Sequence, residues 1–303
     1  MVDNPRVTQT AGRMSAPPEE LAALDEERAF ADRSSYRKLQ VEGDGARSWL
    51  NDLLTAGLSG LGEGQAARSL LLSPTGHIRA DVHVVATAEG FLLLQDPAQP
   101  RAIGELLAPY VLSSAVTLTD RTAELSLYAV PGAAASRLGF GSRPSVLGEG
   151  QDLVTTSAGA ARIESMMMNK QLTQVGGEAL EVWRIRRGVA RFPIDLTEES
   201  VPAEARLDAL IDAGKGCFLG QESVAKIRNL GHPARVVRAL RSEADVLAGA
   251  EVLAEGAVVG RITSAAPAAE GGTASLAKVS WAAAEAPLTT ADGALLARFG
   301  PSA

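Results

Sequence analysis

One short run of the chain is dense in reactive side chains: Lys215-Gly216-Cys217-Phe218-Leu219-Gly220-Gln221-Glu222, built around the single cysteine. The thiolate, not the thiol, is the nucleophile and metal ligand, so the surroundings of Cys217 decide its chemistry. Lys215 stands two residues away, and a helix starting at Gln221 would bring its N-terminus close; both favour the thiolate. Gly216 and Gly220 let the backbone turn tightly on either side. Gln221 and Glu222 add an amide and a carboxylate to the same turn. Three roles stay open for Cys217: an inert thiol in a small apolar pocket, a reactive thiol, or one ligand of a metal centre shared with another molecule. Without a second cysteine, an internal disulfide and a closed cysteine-built metal site within one chain are excluded. His77, His83 and His232 show no metal-ligand spacing and read as structural or solvated.

The elements that must position this run are legible on both sides. A short helix over 204–213, closed by Gly214, precedes it, and a helix over 221–229 follows. Upstream, 36–41 reads as a strand and 46–55 as a helix with Trp49, Leu50, Leu53 and Leu54 on one face. Strands over 69–72, 77–85 and 91–94, joined at Ser73-Pro74-Thr75-Gly76 and Glu89-Gly90, form an antiparallel meander. The pattern predicts a helix over 99–112 and strands over 115–119 and 124–130. Residues 133–168 are low in pattern, and Met166 to Met168 read as core or interface filler rather than a soft-metal site. An amphipathic helix over 181–188 turns Val182 and Ile185 inward and leaves Arg184, Arg186 and Arg187 solvated. Beyond Pro233 come short strands over 236–240, 251–253, 258–263 and 274–279, the texture of a small antiparallel barrel. The expected organisation is a disordered, acidic tail over 1–30, a large domain over 31–235 and a barrel over 236–303.

Composition narrows the partners. The 303 residues are 46% hydrophobic and 21% charged, enough for a packed core. A net charge of -7 argues against nucleic acid or an anionic membrane surface as partner. No apolar run approaches the roughly 20 residues of a membrane span. The first 28 residues lack the apolar core of a signal peptide and are too acidic for a transit peptide, so a cytoplasmic location is expected.

The run from Lys215 to Glu222, continued by Ala225-Lys226, resembles the signature of the YgfZ family: Lys-Gly-Cys-Tyr-x-Gly-Gln-Glu, two variable residues, then Ala-Arg. Those are folate-binding proteins of iron–sulfur cluster assembly and repair, related to the T-protein of the glycine cleavage system. Phe218 replaces the tyrosine and loses its hydroxyl; Lys226 replaces the arginine, keeping charge without the planar fork. The resemblance extends through Val41-Glu42-Gly43-Asp44-Gly45-Ala46, Gly76-His77-Ile78-Arg79-Ala80-Asp81, Arg184 to Gly188, Pro202-Ala203-Glu204 and Val259-Gly260-Arg261-Ile262-Thr263-Ser264. It implies an α+β fold: a GcvT/YgfZ-like large domain of antiparallel sheets with helices, in two subdomains around a central cavity, followed by a small C-terminal antiparallel β-barrel.

It also implies tetrahydrofolate as cofactor, with a pterin whose amino and ring N–H groups suit buried carboxylates. By position these are Asp81 and Glu204. Asp81 matches the second member of the T-protein aspartate pair, and Ala80 replaces the first. Where the T-protein pattern has a glutamate just before the glycine of its Arg-x-x-x-Gly segment, this chain has Arg186-Arg187, which tells against methylamine transfer. It leaves Arg184, Arg186, Arg187 and Arg191 as partners for the glutamate tail of folate. The implied function is a tetrahydrofolate-binding accessory protein acting through Cys217, with Lys215, Gln221 and Glu222 beside it, on iron–sulfur cluster carriers or client proteins. The alternatives are a folate-dependent aminomethyl or one-carbon transferase of the T-protein type, and a non-catalytic adaptor that docks a cluster carrier.

Overall fold

The computed structural model describes residues 15–139 and 143–300, so residues 1–14 of the expected tail lie outside it. Within the expected tail, the residues from Pro18 onward form a helix and the start of a strand. Helix α1 (Pro18–Asp25) begins on a proline, which a first helical turn tolerates, and buries Ala23 and Leu24. Strand β1 (Ala29–Asp32) follows with Phe30 fully buried. The acidic residues that gave this stretch its tail-like texture, Glu19, Asp25 and Glu26, form the exposed side of the helix and its end.

The meander continues through β2 (Arg37–Glu42), α2 (Ala46–Leu53), β3 (Ala66–Leu72), β4 (Ile78–Thr87), β5 (Gly90–Gln95), α3 (Ile103–Leu107) and β6 (Thr117–Asp120). Its five strands form one antiparallel sheet in the order β3-β4-β5-β2-β6. Pro109 cannot continue an α-helical ladder, so the helix expected over 99–112 becomes α3 followed by a 3-10 helix. One face of the sheet packs Ala80, Val82 and Val84 against Leu50 and Leu53 of α2. Strand alternation therefore turns Asp81 and His83 to the other face. Arg68 of β3 stands directly across from His83.

A second sheet is built from β7 (Leu125–Pro131), β8 (Arg143–Ser145), β9 (Gly148–Thr156) and β10 (Thr173–Gln174) together with β1, in the order β10-β1-β7-β9-β8. Helices α4 (Gly132–Arg137), α5 (Ala160–Asn169) and α6 (Gly177–Arg186) accompany it. The described residues of the low-pattern segment 133–168 thus fold into two α-helices, a 3-10 turn and two strands. Its methionines divide: Met167 is fully buried with Phe30 and Tyr128, and Met168 is exposed.

The helix expected over 204–213 is two 3-10 turns, Pro202–Ala205 and Leu207–Leu210, interrupted where Arg206 adopts φ 58°. Helix α7 (Gln221–Leu230) then leads to the barrel. Strands β11 (Arg235–Ser242), β12 (Glu251–Ala254), β13 (Ala257–Pro267), β14 (Thr273–Ser280), β15 (Leu288–Thr290) and β16 (Leu295–Arg298) close in the order β11-β14-β13-β12-β15-β16 around Val236, Leu240, Val252, Ile262 and Val279. The fold is α+β: two sheets with helices, followed by a closed antiparallel six-stranded barrel. Among the described residues no helix is long and apolar enough to cross a membrane.

Candidate functional site

Between the two sheets lies a cleft of about 820 Å³. The meander contributes Arg68, Asp81, His83 and Leu94; the second sheet and its helices contribute Gly132, Leu147, Leu180 and Trp183. Tyr36, at the entrance to β2, and Phe192 add aromatic wall. That size falls within the roughly 300–1,000 Å³ of small-molecule sites, and apolar walls with a few convergent polar groups are their usual composition.

Asp81 faces this cleft, held by Arg68. The guanidinium donates from Nε to one carboxylate oxygen at 3.0 Å and from Nη2 to the other at 2.6 Å. Gln99 fixes the backbone of the same residue, its Oε1 accepting from the Asp81 N–H at 3.0 Å and its Nε2 donating to the carbonyl at 2.6 Å. An ionised carboxylate has about four lone-pair sites, so each Asp81 oxygen keeps acceptor capacity toward the cleft. Beside it, Tyr36 accepts from Arg33 at 3.2 Å. Burial pushes the Tyr36 phenol above its usual pKa, and the Arg33 charge only partly offsets this. His83 is 7% exposed and lines the same wall; burial lowers its pKa to about 4, with Asp81 opposing and Arg68 reinforcing.

A chain of charge pairs runs from the cleft to the barrel. Arg191 binds Asp96 at 2.7 Å and Glu181 at 3.0 Å. Burial alone would raise the Glu181 pKa, but hydrogen bonds and charge from Arg184 and Arg191 outweigh it and hold the carboxyl below its usual range. Arg184 contacts Glu181, donates to Asp195 at 2.8 Å and reaches Ser264 of β13 at 2.9 Å. Asp195 also accepts from Thr263 at 2.5 Å and from Ser264 at 2.7 Å. The expected solvated Arg184 is therefore a buried latch between the large domain and the barrel, its donors already engaged. Arg187 differs: it is exposed, makes no ion pair among the described residues, and lies over the Trp183 ring at 4.5 Å on the cleft rim.

The Cys217 run sits elsewhere. Cys217 is exposed, and neither it nor Gln221 nor Glu222 borders the cleft. Lys215 does not turn toward the thiol. Its Nζ donates to the carbonyls of Asn51 (2.5 Å), Leu54 and Ala56 (3.0 Å), closing the C-terminal end of α2. Burial lowers its pKa to about 8, against the raising effect of Asp212 and Asp52. Phe218 is buried with Leu70, Leu72, Phe192 and Val224, so its ring anchors the loop. Gly220 has φ 86°, and a Cβ there would stand 2.5 Å from the Ser73 carbonyl oxygen. The run is thus pinned on both flanks with its thiol outward.

Glu204 does not join Asp81. It is buried in an ion pair with Lys278 of β14 and borders a second, smaller cavity of about 250 Å³ with Arg206, Arg238 and Trp281. The two carboxylates assigned by position to one pterin stand in different cavities. What sequence reasoning missed in the cleft is Tyr36, His83, Asp96, Gln99 and Trp183. Strand alternation from Asp81 to His83 was a usable signal; the others come together only through the packing of the two sheets. Among the described residues no cluster of His, Cys, Asp or Glu is suited to a metal ion.

Comparison with known proteins matches the fold to that of a glycine cleavage aminomethyltransferase. The family model of the GCVT N-terminal domain matches residues 9–138, under half of the chain. A chloroplastic protein of Arabidopsis thaliana, named as a candidate transferase, is 24% identical over 274 residues, covering 81% of this chain and 63% of its own. The aminomethyltransferase of Pelodictyon phaeoclathratiforme is 25% identical over 65% of this chain and 63% of its own, and that of Parasynechococcus marenigrum 26% identical over 81% and 77%. The chain therefore spans under two thirds of the length of the first two. The crystal structure of the glycine cleavage aminomethyltransferase T of Bartonella henselae superposes with a TM-score of 0.81 at 19% identity, covering 93% of this chain and 88% of that one. The chain is GcvT-like in fold and in its N-terminal half.

Proposed function

We propose that the protein binds tetrahydrofolate in the cleft between its two sheets and is a folate-dependent one-carbon transferase of the aminomethyltransferase type. The observation that carries this is the cleft itself: an aromatic slot with Asp81 fixed on its wall and, on its rim, the guanidinium of Arg187, which has no ion pair among the described residues. Such a slot suits a molecule with a polar heterocycle at one end and carboxylates at the other. Tyr36, Trp183 and Phe192 supply apolar and ring surface. Asp81 keeps lone pairs for amino and ring N–H donors. Arg187 meets an anionic tail without first breaking an ion pair. When bound, tetrahydrofolate supplies the ring nitrogens that carry one-carbon units. This chain's residues orient it and, by enclosing the slot between two sheets, keep bulk water from it. Arg186-Arg187 in place of a glutamate remains the feature least in keeping with methylamine transfer. The test is formation of methylenetetrahydrofolate by the purified protein from tetrahydrofolate and an aminomethyl-loaded carrier protein; no product above a D81A control would remove the transferase reading.

A second reading is favoured by one observation, the outward thiol of Cys217 in a loop pinned by Lys215 and Phe218. A surface thiol outside the cleft suits contact with another protein better than reaction with a ligand enclosed between the sheets. In that reading the folate-binding scaffold serves iron–sulfur cluster assembly or repair, with Cys217 meeting a carrier or client. Expression of C217A in a strain lacking the protein decides it: unchanged activity of the host's iron–sulfur enzymes would exclude the thiol from such a role.

A further inference from the structure

Among the described residues of the cleft, two carry a buried side-chain nitrogen without a hydrogen-bond partner: Arg33 at Nε, with another of its nitrogens bound to Tyr36, and His83. It lies on β4 two residues beyond Asp81 and on the same face, with Arg68 of β3 opposite it on one side and Leu94 of β5 on the other. It is 7% exposed and lines the cleft. Its Nδ1 is buried without a hydrogen-bond partner. Buried polar nitrogens are nearly always paired, since an unmet one costs about 1–3 kcal/mol. Around it, the polar groups of the same wall are already engaged: Asp81 with Arg68, Gln99 with the Asp81 backbone, Tyr36 with Arg33.

We propose that His83 is a ligand-orienting residue: its unmet ring nitrogen, closed off in the ligand-free chain, comes within reach when the imidazole turns toward the polar edge of the heterocycle seated beside Asp81. This rests on the folate reading of the cleft. Burial, opposed by Asp81 and reinforced by the Arg68 cation, keeps the ring neutral, so one nitrogen is an acceptor and the other a donor. A pterin edge offers partners for both. Asp81 and His83, one strand repeat apart on one face, then form a two-point contact that fixes which way the ring enters. A leucine at this position would stand opposite Leu94 with no unmet polar atom, so the histidine costs stability in the ligand-free chain that a ligand meeting its nitrogen would recover.

The experiment is calorimetric titration of 5-formyltetrahydrofolate into the wild-type chain, H83L and H83N, with thermal melts of each ligand-free protein. Nitrogen-15 histidine spectra are recorded before and after addition; with three histidines in the chain, the His83 ring is assigned by its loss in H83N. The expected result is affinity about tenfold weaker in H83L, recovered largely by H83N, whose amide stands near the place of Nδ1. H83L should melt no lower than wild type, and one His83 ring nitrogen should shift on ligand addition. Wild-type binding with H83L equal to it, or a His83 ring unmoved by ligand, would overturn the orienting role while leaving the folate reading intact. Failure of the wild type to bind would overturn the folate reading and this role with it.

Discussion

Arg68 and Asp81 meet in a two-point ion pair on the wall of the cleft, with N–O distances of 3.0 and 2.6 Å. The pair is largely shielded, with 25% of the arginine and 11% of the aspartate side chain exposed. Removing one partner leaves the other charge in a poorly solvated wall, whereas removing both does not. R68M should therefore lose about 2 kcal/mol in denaturant unfolding, and R68M/D81N should lose less than the sum of the two single variants. Strict additivity would show that the pair is not coupled.

The Lys215 ammonium closes three carbonyls at the end of α2, so its substitution should act on stability and not on the thiol. K215M strands those acceptors and should cost about 2–3 kcal/mol. The rate at which Cys217 reacts with a disulfide reagent in the folded protein should stay within twofold of wild type. A marked fall in that rate would restore Lys215 as an activator of the thiolate.

Asp195 is fully enclosed between Arg184 and the β13 hydroxyls of Thr263 and Ser264. D195N keeps the shape but leaves Arg184 short of a counter-charge. Unfolding should become about 3 kcal/mol easier. The barrel should also separate earlier than the large domain, seen as a second transition; a single, unshifted transition would show that the latch does not couple them.

Acid sensitivity follows from His83. Its folded pKa, about 4, lies below the 6.5 of an exposed histidine. Between those values the unfolded chain binds more protons than the folded one. Stability from this group is thus complete above about pH 6.5 and lost progressively as pH falls toward 4, by roughly 3 kcal/mol at most. The groups facing it are Arg68 on β3 and Asp81 on its own strand, with uncharged Leu94 on β5. H83L should flatten the stability profile over that window; an unchanged slope would place the acid sensitivity elsewhere.

Much of this was legible in the chain. The alternation that put Val82 and Val84 on one face of β4 placed Asp81 and His83, by difference, on the other; Ile78, grouped with the valines in sequence, lies beyond a register shift and packs instead with Leu70, Leu72 and Phe218. The barrel strands were legible because short β-rich runs and Gly turns need no distant partner to be recognised. Glu204 misled because position along a motif does not reveal which cavity a side chain enters; Lys278, some seventy residues later, claims it. Arg184 misled in the same way. A helix wheel marks it as peripheral, but the barrel covers that side of α6, and its pairs with Asp195 and Ser264 exist only in the assembled fold. Lys215 looked like a partner for Cys217 because they are neighbours in sequence, whereas three carbonyls from α2 and the residues after it take the ammonium.

The most direct measurement is the affinity of 5-formyltetrahydrofolate for three proteins: wild type, R187E at the cleft rim and C217A outside the cleft. Expected are one site per chain in wild type, at least tenfold weaker binding in R187E through charge reversal against the glutamate tail, and C217A within twofold of wild type. Binding that survives R187E but is lost in C217A would place the folate at the cysteine loop and contradict the assignment of the cleft.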